Sequence, residues 1–111
     1  MKLPSRLRFS DNVVQQTFET LSVGSSEQKQ LYKWLVRAFE DIERNVFCGI
    51  QIPTCLIPKA YFKKYKIRNL WKYNLPNAWR LLYSIENQGI LVVSIILEWM
   101  NHKDYERRFN Y

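Results

Sequence analysis

The chain has 111 residues, and its 17 Lys or Arg against 10 Asp or Glu leave a formal net charge of +7. That length holds one domain, residues 1–111, large enough to bury a core without disulfide or metal staples. With 47% hydrophobic and 15% aromatic residues, and only 3 Gly and 4 Pro, it is neither a disordered basic tail nor a low-complexity segment.

In chain order, Leu7 and Phe9 alternate with Arg6 and Arg8, which predicts a short first strand. Ser10 then offers an N-cap, with Val14, Phe18 and Leu21 at helical spacing until Gly24 stops the segment. Ser25 with Gln28 forms a capping box for a second helix, whose stripe is Leu31, Trp34, Leu35, Ala38, Phe39 and Ile42. These two helices form a hairpin whose apolar faces need a sheet to cover. Residues 45–58 read as a loop punctuated by Gly49, Pro53 and Pro58. An amphipathic turn over 59–66 follows Pro58, which suits a helix start. Strands come next at 70–75, 78–86 and 90–99, turned by Pro76-Asn77 and by Asn87-Gln88-Gly89. Asn101 caps a final helical turn that projects His102 and Tyr105 from one side. The expectation is an α+β fold: two N-terminal helices on a small, twisted, mainly antiparallel sheet, with a short C-terminal helix.

A three-residue loop ending at Gly89 pairs Glu86 with Ile90, so Arg80 opposes Ile96 and Ser84 opposes Val92. One face then carries Arg80, Ser84, Ser94 and Glu98 and should be open. The other carries Leu81, Tyr83 and Ile85 with Val93, Ile95, Leu97 and Trp99, and should meet the helices.

Seven basic residues (Lys59, Lys63, Lys64, Lys66, Arg68, Lys72 and Arg80) and no acid fall within the 22 residues from Lys59 to Arg80. The remaining 89 residues carry 10 charges of each sign, so the whole net charge lies in this window. It is interleaved with Tyr61, Phe62, Tyr65, Trp71, Tyr73 and Trp79, a combination that suits phosphate attraction and base stacking. A solvated face normally mixes signs, which favours a functional role for the lysines as a group, whereas Trp79 reads as core. Arg80, in mid-strand, reads equally as a phosphate clamp or as a structural partner of Glu98. His102 beside Tyr105 could exchange protons near neutral pH, although a lone surface His is more often inert. No Gly-rich phosphate loop or Ser-His-Asp order is present.

Counting Gly89 and Ser94, the longest apolar run, Gly89 to Leu97, is nine residues, far short of the roughly 20 a membrane helix needs. The start, Met1 to Arg6, lacks the apolar run of a signal peptide, so the expected location is cytoplasmic. Cys48 and Cys55 match neither a redox pair nor a zinc knuckle, and with His102 the only His, no metal or cofactor is expected. Both cysteines are expected to be small, partly buried residues, and a bridge between them would depend on the loop geometry.

The element order, the stretch Leu75-Pro76-Asn77-Ala78-Trp79-Arg80-Leu81-Leu82-Tyr83 and the ending Glu98-Trp99-Met100-Asn101-His102-Lys103-Asp104-Tyr105 resemble the RelE/ParE toxin superfamily. Within it, they are most similar to archaeal RelE-like toxins of type II toxin–antitoxin systems. The resemblance implies a sheet whose concave face binds mRNA, commonly on the ribosome, and a cognate antitoxin protein that wraps the toxin. RelE-type members cleave by metal-independent attack of a ribose 2′-OH on the adjacent phosphate. Carried over, Arg80 matches the phosphate-stabilising strand Arg, His102 the basic residue after the last strand, and Tyr105 the C-terminal Tyr. Lys63, Lys64, Lys66 and Lys72 would hold RNA, and Glu98 would act as a base or neutralise Arg80. Other members of the superfamily inhibit gyrase, so a non-catalytic binding protein is the alternative. A plain DNA-binding domain is weaker, because the basic window lacks a recognition-helix pattern.

Overall fold

The computed structural model describes residues 2–109. Strand β1 (Arg6–Phe9) leads into helices α1 (Asn12–Leu21) and α2 (Ser26–Arg44), then β2 (Ile50–Ile52) and α3 (Lys59–Tyr65). Strands β3 (Leu70–Asn74), β4 (Arg80–Gln88) and β5 (Leu91–Met100) follow, and α4 (His102–Phe109) comes last. The strands form one five-stranded sheet in the order β1-β5-β4-β3-β2. Among the described residues, only the β1–β5 pair is parallel.

Local chemistry accounts for the helix bounds. The Ser25 side chain accepts from the Gln28 N–H at 3.2 Å, and the Gln28 side chain accepts from the Ser25 N–H at 2.8 Å. That reciprocal box starts α2 where expected. The α1 cap is Asp11 rather than Ser10: Asp11 Oδ1 accepts from the Val14 N–H at 2.9 Å. Ser10 bends just past the end of β1, its N–H bonded to the Ile96 carbonyl at 2.9 Å. Residues 45–58 are more than loop. Ile50–Ile52 pairs antiparallel with β3, because the Tyr83 hydroxyl anchors the approach by donating to the Val46 carbonyl at 2.6 Å and accepting from the Gly49 N–H at 3.1 Å. Both cysteines are exposed and free, so the expected partial burial does not occur.

The β4–β5 register differs from the expected one. Gln88 pairs with Leu91, making a two-residue turn of Gly89 and Ile90, with Gly89 at φ +78°. Glu86 therefore opposes Val93, and Ser84 opposes Ile95. This odd-numbered slip turns Val93 and Ile95 away from α1 and α2. A bulge at Leu97 follows, since Tyr83 pairs with Ile96 and Leu82 with Glu98. The extra residue returns Trp99 to the helix side, opposite Leu81.

Consequently the sheet has two apolar faces. On one, Leu31, Leu35, Ala38, Phe39 and Ile42 of α2 pack with Leu81, Tyr83 and Ile96. On the other, Tyr61 of α3 and Tyr105 of α4 cover Leu70, Leu82, Val93, Ile95, Leu97 and Met100. The face expected to be open is a second core. Polar alternation assigned the register wrongly because it assumed one solvated face.

Candidate functional site

Cross-strand pairing lines up the charged residues of the second face. Lys72, Leu82 and Glu98 form one row across β3, β4 and β5, and Asn74, Arg80 and Met100 form the next. Residues opposite one another share a face, so Lys72, Arg80 and Glu98 all project with Leu82 and Met100 toward α4. Helix α4 starts just past Met100, with the Asn101 side chain accepting from the Asp104 N–H at 2.9 Å. One turn later it lays Tyr105, 2% exposed, against the sheet.

Two cations lie near the Tyr105 ring, Lys72 Nζ at 5.2 Å and the Arg80 guanidinium at 5.3 Å from its centroid. Both lie within cation–π range. Phe109 stacks on Tyr105 with centroids 4.5 Å apart. Arg80 Nη1 donates to the Trp79 carbonyl at 3.3 Å, while its buried Nε has no hydrogen-bond partner. Among the described residues no carboxylate pairs with Arg80. Glu98 is held instead by Arg108 Nη1, 3.0 Å from Oε2, and the same nitrogen donates to the Tyr61 hydroxyl at 3.1 Å. Burial, then the hydrogen bond and charge of Glu98, raise the Tyr61 pKa and keep that phenol protonated. The sequence points to Tyr61 only as one ring of the basic window and not to Arg108, and only the docking of α4 beside α3 brings them to Glu98.

His102 does not share Tyr105's environment. It is exposed at the start of α4, and its Nε2 lies 2.9 Å from Glu106 Oε1, one turn on. The lysines divide. Lys72 belongs to the Arg80 cluster, whereas Lys63, Lys64 and Lys66 are exposed at the end of α3. Lys64 and Lys66 border cavities also lined by Glu86. Glu86 lies six residue steps along β4 from Arg80, about 20 Å at a strand's rise. Among the described residues no group of three or more His, Cys, Asp or Glu could hold a metal ion. Nor is any helix there long and apolar enough to cross a membrane.

On the opposite face, a cavity of about 780 Å³ lies between the start of α2 and the β3–β4 turn, walled by Trp34 and Trp79. It is separate from the cation cluster. In comparisons with known proteins, no family model, curated protein or solved structure matches the chain.

Proposed function

We propose that the chain is a RelE-like toxin: an endoribonuclease that cleaves mRNA, on the ribosome, and is silenced by a cognate antitoxin protein in the cytoplasm. The observation that carries this reading is the pair of cations, Lys72 and Arg80, fixed on adjacent strands around Tyr105, with Arg80 free of any carboxylate among the described residues. A guanidinium held on a rigid strand with donor capacity to spare suits the equatorial oxygens of a phosphorane. In the reaction, the 2′-oxygen forms a bond to phosphorus as the bond to the 5′-oxygen breaks. The 2′-OH proton leaves to a base, and an acid supplies one to the departing 5′-oxygen. The products are a 2′,3′-cyclic phosphate and a 5′-hydroxyl. His102, two residues beyond Arg80's cross-strand partner Met100, and Tyr105 handle these protons. Lys63, Lys64, Lys66 and Lys72 attract the RNA backbone, and Glu98, neutralised by Arg108, tunes the local charge.

The test is primer extension on mRNA incubated with the purified chain, with and without translating ribosomes. Discrete cuts carrying 5′-hydroxyl ends are expected, and fully intact message under both conditions would overturn the reading. Growth arrest on expression, relieved by a small acidic protein encoded beside the gene, would identify the antitoxin.

A non-catalytic reading, as a gyrase inhibitor or a protein that only binds its antitoxin, has a specific observation in its favour. His102 is paired with Glu106, Glu98 with Arg108, and Tyr105 is buried, so the proton-handling candidates are engaged or covered. Inhibition of supercoiling without RNA cuts distinguishes it.

A further inference from the structure

The end of the second face remote from Arg80 holds two adjoining cavities. One, of about 570 Å³, runs between the segment after α3 and the tip of the β4–β5 hairpin. The other, of about 160 Å³, lies between α3 and the end of β1. Tyr65, Glu86 and Ile95 line both, so they are halves of one cleft.

Cations border each half: Lys66 and Arg68 the larger, Arg8 and Lys64 the smaller. The two carboxylates present are already engaged. Glu86 lies 3.6 Å from Arg8 and accepts from the Gln88 side chain at 3.1 Å, and Asp11 accepts from the Val14 N–H at 2.9 Å. Lys66 and Arg68 have no carboxylate partner among the described residues. Each half is also lined by a serine whose buried hydroxyl has no hydrogen-bond partner, Ser84 in the larger and Ser10 in the smaller. Ser84 is only 2% exposed. Leaving a buried hydroxyl without a partner costs free energy, and the fold carries that cost in the walls of both halves.

The wall of the larger half is rigid. Lys66 takes a left-handed φ of 55° and redirects the chain along the cavity. The Asn69 side chain then grips the Ile85 backbone twice, donating to its carbonyl and accepting from its N–H, each at 2.8 Å. The larger half has the size of an ordinary small-molecule pocket. Tyr65 supplies an aromatic wall, and Asn87 and Gln88 supply amides able to donate and accept at a base edge.

We propose that this cleft binds a phosphate-bearing nucleotide unit at a site separate from the Lys72–Arg80–Tyr105 cluster. Lys66 and Arg68 take the phosphate, and Tyr65 and the hairpin amides face the nucleoside. The source is a free mononucleotide or a nucleotide within an RNA strand. Lys66 also belongs to the RNA backbone contacts proposed above, but binding at this cleft does not require cleavage.

Ribonucleoside 5′-monophosphates, inorganic phosphate and a short single-stranded oligoribonucleotide are titrated separately into the full chain, with backbone amide resonances as the readout. Mononucleotides are expected to move signals of residues 65–69 and 84–88. The exposed double variant Lys66→Asn, Arg68→Gln keeps the left-handed turn accessible, and should weaken that response about tenfold or more. Arg80→Ala should leave it unchanged. A response here to the oligoribonucleotide but not to mononucleotides assigns the site to a strand, and a response to mononucleotides assigns it to the free ligand. Inorganic phosphate acting as strongly as nucleotides would overturn the nucleoside half of the assignment. No response at this end of the sheet to any of the three, or one the double variant leaves intact, would overturn the site altogether. RNA cleavage scored on the same samples keeps its failure distinguishable from failure of this binding.

Discussion

Tyr83 shows how one side chain can decide what its neighbours become. It lies fully buried in β4, where the hydrophobic pattern alone places it in the core, yet its hydroxyl holds the Val46 carbonyl and the Gly49 N–H, 37 and 34 residues away. Tyr83→Phe keeps the ring but orphans both backbone groups, with an expected loss of about 1–3 kcal/mol, read as a lower urea midpoint at unchanged slope. Gly49 is fixed by the same contact, since a Cβ there would come within 2.6 Å of the Lys72 carbonyl and 2.7 Å of the Tyr83 hydroxyl. Arg80 was legible as a strand arginine, but its freedom from Glu98 was not, because that depended on a cross-strand register and on Arg108. If Arg80 stabilises a scissile phosphate, Arg80→Ala should lower cleavage about 100-fold or more, as removal of a preorganised donor does. Wild-type rates from the folded variant would remove Arg80 from the mechanism.

At the scale of elements, α2 was the most legible because its signals are local: a capping box, one apolar stripe and a basic residue, Arg44, in its last turn. The short C-terminal helix was legible through Asn101, although which of its residues face the sheet was not. The β4–β5 hairpin departs from the sequence pattern: Gly89 is not the last residue of a three-residue loop but the first of a two-residue turn. Its positive φ, with open space where a Cβ would stand, makes a clean test. Gly89→Ala should cost about 1–2 kcal/mol from backbone strain alone, and Gly89→Asn should recover much of it. Equal stability of the two variants in urea denaturation would show that the turn relaxes to another conformation.

For the molecule as a whole, two cores on opposite faces of one sheet leave several tyrosines away from water. Burial raises the pKa of Tyr61, Tyr65, Tyr73 and Tyr83, and Tyr73, which also donates to Asp41 at 2.5 Å, is pushed up to about 12. In the unfolded chain a tyrosine loses its proton near pH 10, so each raised group contributes stability that is complete below that pH. For Tyr73 the contribution disappears as pH rises from about 10 through its folded value of about 12. Urea midpoints should therefore hold up to about pH 10 and then fall, with Tyr73→Phe showing a shallower decline. An equally steep decline in that variant would refute the assignment to Tyr73. The net charge acts at the same scale. If the chain engages about five phosphates of single-stranded RNA, log affinity against log salt should have a slope near −3.5. Salt-independent affinity would argue against an electrostatic footprint.

What the sequence determined by itself is what short-range chemistry controls: the two N-terminal helices, the strands over 70–75 and their successors, and a net charge confined to one aromatic-rich window. Tertiary structure decided the rest. It paired β2 onto the edge of β3, slipped and bulged β5, and covered the second face with α3 and α4. It also split the basic window, leaving Lys72 and Arg80 around Tyr105 and carrying Lys64 and Lys66 to the far end of the sheet. The physical reason is that alternation reveals which side of a strand is buried only when one side stays wet. Here both are apolar, so the register, and every cross-strand neighbour that follows from it, was set by packing between residues distant in the chain.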